Sequence, residues 1–396
     1  MTTPHLEQRT LSMTLFRGAI VLAAGALFLG TAFAQEVKSY LYIESNAAAV
    51  PGLNAVYAYS NDGLGNLTAL PGSPYLTGGT GVNGSGSSEL NCDQQVVTDL
   101  SGNTLYAVNG GSNSIAAFTI NADGTLSTVR GSPFASGGQD PVSVGLSDGF
   151  LVVANKNLDP TQNIDGDVPN YTTFAVKTNG RLRMNPGSTV DLAAGSGPSQ
   201  ALVSGTSPIV FGLELFTSRI ASYKYRRSGL MTEASSIGPT TVNGAFLGEI
   251  LHPTQKVLYA GLLSTNQLGV YSFDNAGVIS FVRTVANDGV DICWLKTNAA
   301  GTRLYTSESL TLSITVYDIA DSLNPVQQQH VILIGANRPV TNIALDPTEA
   351  FLYAVTGQMV HVLNVDANGL LSENVSPVVL PVSPDESPLG LATIRK

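Results

Sequence analysis

The chain is poor in the residues that usually announce a chemical site. Of its 396 residues, only two are cysteine, one is tryptophan and four are histidine. Cys92 and Cys293 stand roughly 200 residues apart, and neither has a neighbouring histidine that would activate a thiol. Whether the two pair is left open by the sequence, because spacing along the chain does not give a distance in space. His5, His252, His330 and His361 are scattered without the spacing of metal ligands, so no metal and no cofactor is expected. Charged residues make up just 12% of the chain, and 19 basic against 29 acidic residues leave a net charge of -10. That balance excludes a phosphate-binding basic face, and with it nucleic acid or an anionic membrane surface as partner. After Phe33 no apolar run reaches the length of a bilayer span. Helix-period segments are few.

What is present is glycine, 41 residues, and proline, 20, with aromatics dominated by tyrosine. This is the composition of an all-β chain with many tight turns. At the N-terminus, Arg17 precedes an apolar run from Gly18 to Phe33, and Ala32-Phe33-Ala34 fits a small-x-small cleavage site. Residues 1–34 therefore read as a signal peptide and 35–396 as one domain, secreted or periplasmic, with no membrane association after cleavage.

Apolar strands written Leu-Tyr, or a near equivalent, begin at Leu41, Leu105, Leu151, Ile209, Leu258, Leu304 and Leu352, with most spacings between 46 and 49 residues. Each copy repeats one grammar. A first strand opens after a proline, as at Pro141 and Pro339; the Leu-Tyr strand follows a turn; a third strand leads through an Asn/Asp-x-Gly turn, such as Asn121-Ala-Asp-Gly, to a fourth. Glycine there supplies the positive φ of a hairpin turn. Four antiparallel strands per copy make a propeller blade. The N-terminal copy lacks its first strand, and Pro388–Ile394 supplies one at the far end of the chain. The expectation is a seven-bladed β-propeller whose ring is closed by the C-terminal strand completing the first blade. Two connections exceed the grammar, Gly72–Asn91 and Lys156–Asn170, and both are expected on the face where the channel opens. Within the second, Asn163-Ile-Asp165-Gly-Asp167 has the look of a calcium loop, but Thr161 and Thr172 stand where carboxylates are needed. Four N-glycosylation acceptor patterns occur, at Asn66, Asn83, Asn170 and Asn374.

Several strings carry a resemblance to a known family: Gly138-Gln-Asp-Pro-Val-Ser-Val, Gly197-Pro-Ser-Gln, Leu213-Glu-Leu-Phe-Thr-Ser-Arg-Ile, and Ile292-Cys-Trp with Gly301-Thr-Arg-Leu-Tyr-Thr. Together with the repeat, they resemble the lactonase-like seven-bladed propellers, the 6-phosphogluconolactonase and carboxymuconate cyclase group. The resemblance implies an active centre of His, Arg and Glu at the channel mouth. Glu214-Leu215 matches the family's glutamate. The histidine position after Pro141 holds Val142, and the arginine position after Gly197-Pro198 holds Ser199 and Gln200. Lactone opening needs a base and a cation or donors for the developing oxyanion. Glu214 is thus the catalytic candidate, and Arg338, Arg219, Asp291, Glu249, Glu44, Glu308 and Gln200 are candidates for ligand binding. Glu44 and Glu308 are expected just after second strands, in the manner of Glu214. Two readings stay open. One is a hydrolase or isomerase acting on a small lactone or carboxylate ligand. The other is a non-catalytic propeller that binds a ligand, glycan or protein on its loop face. Either is expected to be a monomer.

Overall fold

A computed structural model describes residues 39–82, 93–157, 167–238, 244–383, 386 and 388–396. The expected signal peptide, Cys92 and residues 161–165 of the calcium-like loop lie outside the described residues. The described chain forms seven antiparallel sheets, each built on four strands in sequence order from the axis outward. The innermost strands are Leu391–Arg395, Val96–Thr98, Pro141–Ser147, Pro198–Val203, Phe246–Leu251, Ile292–Thr297 and Val340–Leu345, for blades 1 to 7.

Blade 1 is the only one assembled from both ends of the chain. Leu391–Arg395 runs antiparallel to Ser39–Glu44, with Leu391 opposite Ile43 and Arg395 opposite Ser39. The ring therefore closes as the sequence predicts, and the innermost edge of blade 1 is covered by its own chain. Apolar side chains alternate along each strand and interleave between neighbouring sheets. One such seam, between blades 1 and 2, contains Tyr42, Val56, Leu105, Ala107, Phe118 and Ile394.

The Leu-Tyr signature has a definite physical task. The Tyr42 hydroxyl of blade 1 donates to Gly124 O in the outer turn of blade 2 at 2.8 Å. Tyr106 does the same to Gly180 O of blade 3 at 3.0 Å, and Tyr305 to Gly369 O of blade 7 at 3.0 Å. Each tyrosine so fills the inter-blade core with its ring and ties its hydroxyl to the neighbouring hairpin, leaving no buried donor unpaired. In blade 3 the tyrosine position holds Val152. Thr173, directly opposite on the third strand, donates to Gly229 O at 2.8 Å instead. In blade 4 the equivalent pair is Val210-Phe211, one residue later than the repeat spacing suggests. There Ser222, opposite Phe211, bonds Gly277 O at 2.5 Å.

The first strands share a second device. In blades 3 to 7 the ladder between first and second strand shifts register near its start, at Pro141/Ser143, Pro198/Gln200, Phe246/Glu249, Ile292/Leu295 and Val340/Asn342. Such a bulge bends the strand and re-aims the side chains around it. The released polar groups reach the next blade. Ser143 Oγ accepts from Ala201 N, Ser199 Oγ donates to Leu247 O at 2.7 Å, and Thr341 Oγ1 donates to Pro388 O at 2.6 Å.

Candidate functional site

The start of every first strand, the end of every second and the start of every third lie on one face, here called the mouth. The registers that pair Pro198 with Glu214 and Glu214 with Arg219 make this explicit for blade 4. Part of the Gly72–Asn91 connection lies on this face, as expected. Gly81 N donates to Ala47 O, Val82 N to Asn46 Oδ1 and Thr80 N to Ser112 Oγ, while Gly111 N donates to Thr80 O. A Cβ on Gly79 would overlap the Asn109 amide, so the glycines here serve close packing.

Glu214 closes the second strand of blade 4 and is 2% exposed. Arg219 Nη1 donates to its Oε1, and Thr217 Oγ1 donates to its Oε2 at 3.0 Å. Arg219 is also paired with Glu233. Burial works against the guanidinium charge, but Glu233 and Glu214 outweigh it and hold Arg219 more firmly protonated than a free arginine. Phe216, two residues on, is 56% exposed and lies over Gly197, and the Lys156 ammonium sits 5.9 Å from its ring centroid. Lys156 is itself buried, which nothing in the sequence signals.

The positions that carry histidine and arginine in the resembled family are occupied otherwise. Val142 is fully buried among Tyr171, Ala201 and Val210. Gln200 is buried, and its Oε1 accepts from Glu249 N at 2.6 Å, joining blade 4 to blade 5. Glu249 is fully buried, and no donor among the described residues reaches either carboxylate oxygen. Burial, and then the nearby Asp93 charge, raise its pKa well above the ordinary carboxylate range. Asp93 begins the inner strand region of blade 2 and is pushed up to about 6 by burial. The Lys296 charge, the Gln94 N–H and the Asn342 amide act in the opposite direction. Glu249, Lys296 and Asn342 come from the inner strands of blades 5, 6 and 7, and Asp93 from the turn that leads into that of blade 2, so this group gathers about the axis. The sequence did not single out Asp93, which follows a loop and carries no motif.

The other candidates are dispersed around the ring. Glu308 shares the register position of Glu214 in blade 6. It is fully buried, receives Thr306 Oγ1 at 2.5 Å, Asn287 Nδ2 at 3.0 Å and Ser313 Oγ at 2.9 Å, and is pushed up to about 7 by burial despite those bonds. Glu44 also closes its second strand, but it pairs with Val56 one position before the end of the ladder, where Ser45 N still bonds Ala55 O. That single step turns its side chain toward blade 2, whereas Glu214 and Glu308 face the preceding blade. Glu44 is fully buried and raised to about 8 by burial, against the Asn54 amide and Asn46 N–H. Asp291 takes φ 74° at the start of blade 6, and its carbonyl accepts from Ser309 N at 3.0 Å. Arg338 is exposed, and its stem rests against Gly357. The structure thus joins Glu214 to Arg219 and Gln200 to Glu249. It leaves Glu44 on blade 1 and Arg338 on blade 7, apart from Asp291 and Glu308, which share blade 6.

No protein-family profile and no curated protein matches this sequence. Solved structures do match its shape. A Bacteroides uniformis protein provisionally assigned as a 6-phosphogluconolactonase aligns at a TM-score of 0.71 and 14% identity, over 91% of this chain and 100% of that one. The fold is that of the lactonase-like seven-bladed propellers. A periplasmic gluconolactonase of Pseudomonas aeruginosa aligns at 0.68 and 14% identity, over 90% of this chain and 99% of its own. Chaetomium thermophilum Sqt1, solved bound to the N-terminus of ribosomal protein L10, aligns at 0.55 and 12% identity, over 84% of this chain and 83% of its own. At these identities the likeness to lactonase-like propellers speaks for architecture, and the site has to be argued from its own residues.

Proposed function

We propose that this protein is a lactonase-like propeller that binds a small lactone or carboxylate ligand at its mouth without using Glu214 to hydrolyse it. The observation that carries the reading is the state of Glu214, a buried carboxylate whose two oxygens are taken by Arg219 and Thr217. A general base must reach the proton it removes. Val142 in the core and Gln200 in the blade 4–5 seam support the same view, since neither supplies the base or the cation that lactone opening requires. A panel of five- and six-membered lactones tests it. Ligands should shift the melting temperature of the wild type, and Glu214→Gln should leave any hydrolysis unchanged while costing about 1–3 kcal/mol of stability through the broken ion pair. Hydrolysis lost in a folded Glu214→Gln protein would refute the proposal.

Hydrolysis at the axis is the second reading, and Asp93 favours it. A carboxyl pushed to about 6 beside Lys296 is tuned for proton transfer near neutrality. Its signature would be a lactonase activity that Asp93→Asn abolishes. We also place the mature protein outside the cytoplasm, on the strength of the Gly18–Phe33 run and the Ala32-Phe33-Ala34 site. Among the described residues, no helix is long and apolar enough to cross a membrane. N-terminal sequencing of exported protein should begin at Gln35.

A further inference from the structure

Blade 7 contains a chain of three hydrogen-bonded side chains that the mouth site does not use. Thr356 ends the second strand at the register position that Glu214 and Glu308 hold in their blades. His361 pairs with Ala354 on the adjacent strand, which places it on the same side of the sheet as Thr356. Glu373 follows the short fourth strand Leu371–Ser372. His361 Nδ1 lies 2.7 Å from Glu373 Oε1, and His361 Nε2 lies 2.8 Å from Thr356 Oγ1. The other Glu373 oxygen accepts from Ile334 N at 2.6 Å. With Glu373 accepting at both oxygens, the neutral ring carries its proton on Nδ1, and Nε2 is left to accept from the Thr356 hydroxyl. A carboxylate on Nδ1 and a hydroxyl on Nε2 is the order in which an imidazole can take a proton from an attacking oxygen.

Thr356 and His361 have no exposed surface in this state, so a reaction there needs an opening. Arg338 offers one. Its side chain is exposed, belongs to no ion pair among the described residues, and rests on Gly357, the residue after Thr356.

We propose that Thr356, His361 and Glu373 form an acyl-transfer site for small carboxylic esters, uncovered when the Arg338 side chain lifts from Gly357. Thr356 Oγ attacks the ester carbonyl carbon as its proton passes to His361 Nε2. The bond from carbonyl carbon to alkoxy oxygen then breaks, and the alcohol leaves with that proton. Water adds to the acyl-threonine, gives a proton to His361, and releases the acid as Thr356 recovers its own. The sum is ester plus water to acid plus alcohol. Glu373 touches no reacting atom and acts as a positioning residue, holding the ring tautomer.

Thr356 lies at the mouth end of blade 7, and its reaction is read out separately from ligand binding there. The test is labelling of the intact protein with a fluorophosphonate probe, mapped by mass spectrometry, beside turnover of 4-nitrophenyl acetate. A single adduct on Thr356 is expected. Thr356→Ser and Arg338→Ala should label at least several-fold faster than wild type, and Thr356→Val should not label, with melting curves confirming that each variant is folded. Glu373→Gln should lower kcat for 4-nitrophenyl acetate several-fold while KM and the melting curve stay nearly unchanged, a split that a purely structural contact would not give. Absence of any adduct in both wild type and Arg338→Ala, or equal labelling of Thr356→Val, overturns the proposal. Either result leaves the mouth-binding reading untouched, since that is scored by ligand-induced melting shifts.

Discussion

Glu44→Gln should make the protein more stable at alkaline pH and nearly unchanged at acid pH. Glu44 is fully buried, and its carboxyl is raised from 4.5 to about 8, chiefly by burial. A raised acid stays protonated in the folded state at pH values where the unfolded chain has already released its proton. Stability from the neutral carboxyl is complete below about 4.5, falls as pH rises, and is gone above about 8. At about 1.36 kcal/mol for each pH unit, the interval from 4.5 to 8 corresponds to on the order of 5 kcal/mol at most, less whatever water penetration relieves. Glutamine keeps the shape and the hydrogen-bonding capacity of the neutral acid and cannot ionise. For a domain of this length, a kcal/mol moves the melting temperature by about 1–2 °C. The wild type should therefore lose roughly 5 °C more than Glu44→Gln between pH 4.5 and pH 8.5, read by circular dichroism or by urea midpoint. Parallel pH profiles for the two proteins would refute the argument, because they would mean that Glu44 is solvated or paired in the folded state.

Glu308→Gln should flatten the same profile over a narrower window, between 4.5 and about 7, and its three hydrogen bonds limit the gain; a larger effect than that of Glu44→Gln would contradict the assignment. Tyr106→Phe removes the bond to Gly180 O while keeping the ring, and should cost about 0.5–1.5 kcal/mol in a urea titration. Gly212→Ala places a Cβ against the Tyr171 hydroxyl and should cost about 1–3 kcal/mol, with Tyr171→Phe expected to restore part of it. Truncation before Leu391 strips the inner strand from blade 1, and the product should lose cooperative unfolding or dimerise through the uncovered edge of Ser39–Glu44.

Much of the architecture was legible from residue pattern. The spacing of the Leu-Tyr strands, the Asn/Asp-x-Gly turns and the missing first strand report local physics: alternation, hairpin geometry and an unpaired edge. The same local logic misplaced blade 4 by one residue, because Val210-Phe211 lacks the tyrosine hydroxyl and Ser222 does its work from the adjacent strand. For Glu44, Glu214 and Glu308, the sequence located all three at strand ends. It could not show that a one-position offset turns Glu44 the other way, since a strand's facing depends on pairing with its neighbour.

By itself, then, the sequence determined the number of repeats, the strand content of each and the means of closure, because each of these is encoded within a few consecutive residues. Only the tertiary structure decided what the polar residues do. Arg219 is spent on Glu214, Gln200 on a seam between blades, and Asp93 meets Lys296 from across the ring. Those partners are separated by anything from five to some two hundred residues. Burial and partnership, the two quantities that set a carboxylate's chemistry, are properties of the closed ring and of no single stretch of chain.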